Sequence, residues 1–134
     1  EKLGCSYYIR YVDDFVVFDN SKERLAQIKQ LMHEFLATIH LELHSDKSHI
    51  RKVSEGVRFL GYRIFPEYRL IHKTNIKRFK RRLKKFQKYY RTGQISLQII
   101  FRSMQSWEAH AKHADSYRLR KELFESFVFS RELS

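Results

Sequence analysis

Short apolar runs alternate with polar breaks in the first part of the chain, and they predict a hairpin followed by a helix. Tyr7–Tyr11 and Phe15–Phe18 are aromatic and β-branched runs of strand length, and only a tight turn fits between them. Asn20 supplies a capping oxygen and Glu23 follows three residues later, which indicates a helix start. One buried helical stripe is then predicted from the 3–4 spacing of Leu25, Ile28, Met32, Phe35 and Ile39.

The next stretch predicts short strands and turns. Leu41–Leu43 alternates like a strand, and Ser45–Ser48 is polar like a turn. Val57–Phe65 predicts another strand, which is broken by Gly61, a residue that permits a bulge or the close approach of another backbone. Pro66–Arg69 predicts the turn that brings the chain back for a last short strand.

From Lys73 onward the apolar positions recur at helical spacing and predict three helices. The first ends at Thr92-Gly93, and Asp115 or Ser116 caps the third. The predicted fold class is therefore α+β, with strands and one helix over residues 1–72 and an all-α three-helix lobe over residues 73–134. The three apolar stripes are Ile76, Phe79, Leu83, Phe86 and Tyr90, then Leu97, Ile100, Met104, Trp107, Ala111 and Ala114, then Leu119, Leu123 and Phe127.

The charge of the chain adds the first indication of its function. A formal net charge of +12 and a pI near 10.0 indicate a polyanionic partner, with nucleic acid ahead of an anionic membrane surface. No apolar run approaches the roughly 20 residues that cross a bilayer. The single cysteine, Cys5, cannot form an internal disulfide, which fits a reducing cytoplasm.

Much of the positive charge lies in one predicted helix. Residues 73 to 91 hold ten Lys or Arg and no acid. Repulsion among these positive charges favours the binding of a polyanion along the face opposite the apolar stripe. Basic amphipathic helices also bind membranes or calmodulin. Two partner helices of matching periodicity favour packing of the stripe within the protein. The candidate nucleic-acid-binding residues are Lys77, Arg78, Lys80, Arg81, Lys84, Lys85 and Lys88.

Two adjacent carboxylates, Asp13 and Asp14, lie at the turn of the predicted first hairpin. Adjacent acids repel, and their ionised forms suit a hard divalent cation such as the pair used in two-metal phosphoryl transfer. Aspartates are also common turn formers, so the pair alone leaves both interpretations open. His110 and His113 lie three residues apart, but no third ligand is evident, and a packed or solvated pair is favoured over a metal site.

Tyr11-Val12-Asp13-Asp14 between two apolar strands resembles the Tyr-x-Asp-Asp signature of reverse transcriptases. The resemblance implies that Asp13 is the principal metal ligand and Asp14 the weaker one, that both are catalytic, and that Tyr11 lies against nucleic acid. It also implies two Mg²⁺ ions in the full-length enzyme. Three further matches follow in the order that the family shows, which is more specific than any one motif.

The first of these matches is a helix over residues 22–40 followed by a loop that bears Lys47. In the family this lysine lies near the phosphates of the incoming nucleotide and is proposed as a general acid toward pyrophosphate, and a solvated loop lysine is the alternative. The second match, Phe59-Leu60-Gly61 with Tyr62, resembles the primer-grip hairpin, and an ordinary packed strand with a bulge is the alternative. The third is the basic helix, which takes the place of the start of the thumb.

The resemblance implies an RNA-directed DNA polymerase, with the C-terminal part of the palm over residues 1–72 and a helical thumb over residues 73–134. Its partners would be an RNA template, a DNA primer and deoxynucleoside triphosphates, with an accessory retroelement protein as a further candidate and no membrane. Residues 106–115 and 117–120 resemble bacterial enzymes of diversity-generating retroelements, and group II intron and retron enzymes remain alternatives.

The family pattern also predicts that this chain is a piece of a longer protein. The fingers and the first catalytic aspartate of the family are expected before Glu1, so the chain alone is expected to bind magnesium poorly and not to polymerise. Two other functions stay open. One is a non-catalytic module that binds RNA or an RNA–DNA hybrid, maturase-like or degenerate. The other is an RNA polymerase palm, whose turn is more often Gly-Asp-Asp.

Overall fold

The structure is a computed structural model that describes residues 7–131. Cys5, on which the prediction about redox compartment rests, lies outside the described residues. The chain divides into two compact units, Glu1–Lys52 and Val53–Ser134. The palm–thumb boundary predicted after residue 72 falls inside the second unit. That boundary is a functional one and remains a prediction.

The first unit begins with the hairpin that the sequence predicts. Strand β1 (Tyr7–Tyr11) pairs antiparallel with β2 (Asp14–Phe18), and Tyr11 lies opposite Asp14 in the register. Val12 and Asp13 therefore form a two-residue turn. Every residue of β1 is exposed in this unit, whereas Phe15 and the rest of β2 after Asp14 are half-buried.

Helix α1 (Lys22–Thr38) has its N-cap one residue later than predicted. Ser21, rather than Asn20, is the N-cap, and its Oγ accepts a hydrogen bond from the amide of Arg24 at 3.1 Å. Ile28 is buried, but Phe35 and Ile39 are 57% and 49% exposed, so the predicted buried stripe is wrong over its second half. The 17 helical residues span about 26 Å, whereas the five-residue strands span only about 17 Å, so the hairpin is too short to cover the whole helix.

The chain leaves α1 through a Schellman motif rather than through the predicted strand. The amide of Leu41 donates to the carbonyl of Leu36 at 2.9 Å, and His40 has a φ of +59°. Residues 41–43 form no strand, because the amide of Leu41 is already used to end the helix. The predicted polar turn over residues 45–48 is confirmed, and the Lys29 ammonium donates to the carbonyl of Ser48 at 2.7 Å.

The second unit opens with a three-stranded antiparallel sheet in the order β3-β4-β5. Its strands are β3 (Val57–Phe59), β4 (Tyr62–Ile64) and β5 (Arg69–Ile71). Phe59 lies opposite Tyr62, so the predicted break at Gly61 is confirmed, but it separates two antiparallel strands rather than interrupting one strand with a bulge. Leu60 and Gly61 instead form a two-residue turn with φ values of +50° and +84°. Positive φ at both positions matches a type I′ turn, and glycine at the second position adopts it without strain.

Three helices follow, as the periodicity predicts: α2 (Lys73–Arg91), α3 (Leu97–Ala111) and α4 (Tyr117–Ser126). Gly93, at a φ of +73°, lies just past the end of α2, and Ser116 is the N-cap of α4. No helix among the described residues has both the length and the apolar composition to cross a bilayer. The α+β fold class, with strands followed by a helical lobe, is confirmed.

The core of the second unit joins the sheet to all three helices. Its buried side chains are Ile71, Phe79, Leu83, Trp107, Ala111 and Leu123. The rings of Phe79 and Trp107 stack with centroids 4.1 Å apart, and Phe124 meets Trp107 edge-on. The amide of Asp115 donates to the carbonyl of Arg69 at 2.8 Å, which ties the start of α4 to β5.

We expect Leu83→Ala to lower the free energy of unfolding of the second unit by about 2–5 kcal/mol, because it leaves a cavity at a fully buried position. Leu97→Ala is the matched control, since Leu97 is 52% exposed and its loss should change stability by less than about 0.5 kcal/mol. Urea unfolding followed by the fluorescence of Trp107 measures both. Equal losses in the two variants would contradict this core.

Candidate active site and nucleic-acid interface

The carboxylate turn stands at the exposed tip of the first hairpin. Asp13 is the second residue of the turn and Asp14 is the first residue of β2, and both side chains are exposed, as is that of Tyr11. Val12 precedes them with a φ of +53° and is 73% exposed. A β-branched residue in the left-handed region costs about 1–3 kcal/mol. Such strained positions cluster at functional sites.

The donor set at this turn suits magnesium but is incomplete within the described residues. Asp13 and Asp14 offer carboxylate oxygens, the ligands that hard divalent cations prefer. Residues 7–131 contain no group of three or more His, Cys, Asp or Glu side chains placed to hold a metal ion. The two aspartates would therefore fill only part of a coordination sphere, and further ligands must come from elsewhere in the protein, from substrate or from water.

Lys47 lies in the polar turn that follows α1. Its side chain is exposed, and its amide donates to the carbonyl of His44 at 3.1 Å. Within residues 7–131, no ion pair joins Lys47 to Asp13 or Asp14. The structure thus leaves the Lys47 ammonium accessible to an anionic substrate, and its catalytic role remains a prediction.

The four predicted primer-grip residues come together at one hairpin end. Phe59 and Tyr62 are half-buried where β3 meets β4, and Leu60 and Gly61 form the exposed turn between them. The carbonyl of Gly61 accepts a hydrogen bond from the amide of His72 at 2.8 Å. The turn is therefore fixed to the residue that caps α2.

A side-chain network that the sequence does not reveal lies behind this turn. The Tyr62 ring stacks on that of His110 with centroids 4.4 Å apart, and the Tyr62 hydroxyl lies 3.0 Å from Nδ1 of the same imidazole. Asn75 approaches the other ring nitrogen at 3.3 Å and accepts a hydrogen bond from the Trp107 indole at 2.9 Å. Tyr62 and His110 are 48 residues apart, so no local pattern indicates their contact. His110 is packed here, whereas His113 is exposed.

Two arginines on the sheet form a second feature that the sequence analysis missed. Arg58 and Arg63 lie directly opposite each other on β3 and β4, and both are exposed. Arg63 donates to the carbonyl of Glu55 from Nε at 2.9 Å and from Nη2 at 2.5 Å. Burial, and then the positive charges of Arg58 and Arg63, lower the pKa of the His72 imidazole. The cationic surface therefore extends beyond α2 onto the sheet.

Helix α2 carries the predicted basic face. All ten of its Lys and Arg side chains are exposed, while Phe79 and Leu83 are buried on the other side. Lys85 lies 5.5 Å from the ring centre of Tyr89, and Arg82 donates to the Ser103 hydroxyl at 3.4 Å. None of the ten forms an ion pair with an acid in the described part of the chain. A helix of 19 residues presents this charge over about 28 Å.

An exposed carboxylate pair suits the divalent cations used in phosphoryl transfer, and an exposed basic helix suits the phosphates of nucleic acid. Residues 3–64 match the family model described as reverse transcriptase (RNA-dependent DNA polymerase). The match covers the carboxylate turn, α1, the loop of Lys47 and the hairpin of β3 and β4. This part of the chain is therefore similar to reverse transcriptases. No curated protein matches the chain.

The stability of the second unit is expected to fall as the pH drops below about 6.5. Burial lowers the pKa of His72 and of His110 from the ordinary 6.5. Below that value the unfolded chain binds protons that the folded chain does not. The contribution of these two histidines to stability is therefore fully present above about pH 6.5 and is lost as the pH falls through their lowered pKa values.

His72→Asn tests the contribution of the α2 cap. Nδ1 of His72 accepts a hydrogen bond from the amide of Thr74 at 3.3 Å, and the side chain of asparagine keeps such an acceptor without titrating. The difference in urea midpoint between about pH 7.5 and about pH 5.5 should become smaller in the variant than in the wild type. An unchanged difference would show that His72 makes no contribution to it.

Proposed function

We propose that this chain is part of an RNA-directed DNA polymerase that adds deoxynucleotides to a primer 3′-hydroxyl on an RNA template. The observation that carries the proposal is the match of residues 3–64 to the reverse transcriptase family, because it includes the exposed Asp13-Asp14 turn. The basic face of α2 supports it from outside the matched residues. In this proposal residues 1–72 are the C-terminal part of the palm and residues 73–134 the thumb.

Asp13 and Asp14 are proposed as metal ligands, with Asp13 the principal one, together with a third carboxylate that the family places before Glu1. Magnesium held there would supply a two-ion clamp for the attacking and leaving oxygens. The primer 3′-hydroxyl attacks the α-phosphate of the nucleotide, and pyrophosphate leaves. Lys47 offsets the charge that develops on this leaving group, and Tyr11 lies against the nucleic acid.

The primer–template duplex is held by two surfaces in this proposal. The turn of Leu60 and Gly61, with Phe59 and Tyr62 beneath it, contacts the primer strand near its end. The exposed cations of α2, among them Lys77 and Lys84, contact phosphates and so position the duplex without reading its sequence. The absence of acidic partners for these cations in residues 7–131 supports a phosphate-binding role.

The biological setting is proposed on the resemblance alone. Residues 106–115 and 117–120 favour a bacterial, cytoplasmic enzyme of a diversity-generating retroelement, with an accessory retroelement protein as a further partner. Group II intron and retron enzymes are the alternatives within the same proposal.

We expect Asp13→Asn to reduce primer extension by the full-length protein about 100-fold or more, because it removes a metal-ligating charge. The assay uses an RNA template, a DNA primer, magnesium and all four deoxynucleotides. Glu34→Gln is the matched control, since it also removes one exposed carboxylate from the first unit and should keep full activity.

The outcomes separate the competing functions. Loss of activity in Asp13→Asn alone supports the two-metal proposal. Absence of extension by the wild type, with salt-sensitive binding of a hybrid duplex, indicates the non-catalytic binding module instead. Equal activity in the wild type and Asp13→Asn would mean that the catalytic turn lies elsewhere.

The basic face is tested by comparing two double variants of equal net charge. Lys77→Gln with Lys84→Gln removes two cations seven residues apart on one face of α2, and we expect it to weaken binding of an RNA–DNA hybrid. The slope of log affinity against log salt is negative, and each lost phosphate contact should make it shallower by about 0.9. Lys112→Gln with Lys121→Gln is the control, because these lysines pair with Glu108 and Glu125. Equal weakening in both would indicate attraction by net charge alone.

A further inference from the structure

The contacts behind the Leu60–Gly61 turn form a chain of hydrogen bonds with only one consistent direction. The indole nitrogen of Trp107 can only donate, so Oδ1 of Asn75 accepts from it at 2.9 Å. The amide nitrogen of Asn75 then faces Nε2 of His110 at 3.3 Å. An amide nitrogen only donates, so Nε2 must be the unprotonated ring nitrogen.

The other end of the chain agrees with this assignment. The Tyr62 hydroxyl donates its single proton to the carbonyl of His110 at 2.8 Å. Its oxygen is therefore left to accept from Nδ1 of His110 at 3.0 Å. The heavy-atom distances thus assign a neutral imidazole with its proton on Nδ1, so that Trp107, Asn75, His110 and Tyr62 each donate one hydrogen bond along the chain.

The turn packs closely against this chain. A Cβ added to Gly61 would lie 3.3 Å from Nδ2 of Asn75 and 3.3 Å from Nε2 of His110. Gly61 itself has a φ of +84°. The same two nitrogens that share the hydrogen bond therefore face Gly61, and a side chain at this position would fit only if they shifted by a few tenths of an ångström.

We propose that His110, as the neutral Nδ1–H tautomer, is a positioning residue that locks the Leu60–Gly61 turn against α3, and that protonation of its Nε2 releases the turn from α3, while the hydrogen bond from His72 to Gly61 still holds it to the start of α2. The locked turn and the basic face of α2 then bind one nucleic-acid duplex as a single surface. This second part rests on the proposed function, whereas the tautomer and the release do not.

Protonation opposes the lock because it places two donors against each other. An Nε2–H would point at the amide nitrogen of Asn75, and turning that amide would take Oδ1 away from Trp107. Burial and the nearby His113 lower the pKa of His110, in agreement with a site built for the neutral ring. The other groups that face the ring are Tyr62, whose pKa burial raises while the adjacent Arg69 lowers it, and the uncharged Asn75.

The lock is tested by ¹⁵N NMR on the 134-residue chain. At about pH 7.5 we expect the proton of His110 on Nδ1, and on acidification the amide signal of Gly61 should shift with the same midpoint as His110. In His110→Asn this shift should vanish. In His113→Asn it should persist with a higher midpoint, because a neighbouring positive charge is removed. An Nε2–H tautomer, or a Gly61 shift unchanged in His110→Asn, would overturn the lock.

Asn75→Asp provides a second variant that keeps the shape of the network. Its carboxylate still accepts from Trp107 but also accepts from Nε2, so the proton of His110 should move to Nε2 and its pKa should rise. The acid-induced shift of Gly61 should then disappear, because the charged ring is paired. Retention of the Nδ1–H tautomer in this variant would contradict the directional argument.

Binding of an RNA–DNA hybrid tests the second part. We expect His110→Asn to weaken binding about tenfold at neutral pH and His113→Asn to change it less than twofold. Equal binding by the wild type and His110→Asn, with the NMR result as expected, would overturn the joint surface and keep the lock. Failure of the wild type to bind any hybrid would instead overturn the proposed function, and the NMR result would still decide the lock.

Discussion

Burial of the apolar stripe of α2 is the constraint on which the second unit depends. Phe79 and Leu83 are almost wholly removed from solvent, and each contributes about 1.5–3 kcal/mol by that burial. The stack of Phe79 on Trp107 fixes the rotation of α2 against α3. Because the stripe faces inward, all ten cations of the helix must face outward. The packing that buries the apolar stripe therefore also places the positive charges on the outer face of the helix.

The same core positions the Leu60–Gly61 turn, which is the predicted primer grip. Ile71 of β5 belongs to the core cluster, and the chain passes from it directly through His72 into α2. The carbonyl of Gly61 accepts from the amide of His72, so the turn is hydrogen-bonded to the residue that caps the basic helix. Trp107 is shared between the core and the polar network behind the turn. Apolar packing and polar positioning therefore meet in one side chain.

Both candidate functional turns use backbone conformations that ordinary residues avoid. Val12 and Leu60 have φ values of +53° and +50°, although neither is a residue that favours the left-handed region. In each case the turn has two residues and is closed by a paired register, Tyr11 with Asp14 and Phe59 with Tyr62. The register holds the strained residue in place, and the side chains next to it stand at the exposed tip of a hairpin.

The sequence by itself determined the features that depend on local periodicity. The three helices after Lys73, the outward basic face and the hairpin around Asp13 and Asp14 follow from apolar spacing within a few turns or strands. Only the tertiary structure decided that residues 57–65 fold back at Leu60 and Gly61, that Phe35 stays exposed within its unit, and that Tyr62 meets His110. These outcomes depend on contacts between segments far apart in the chain, for which spacing along the sequence carries no signal.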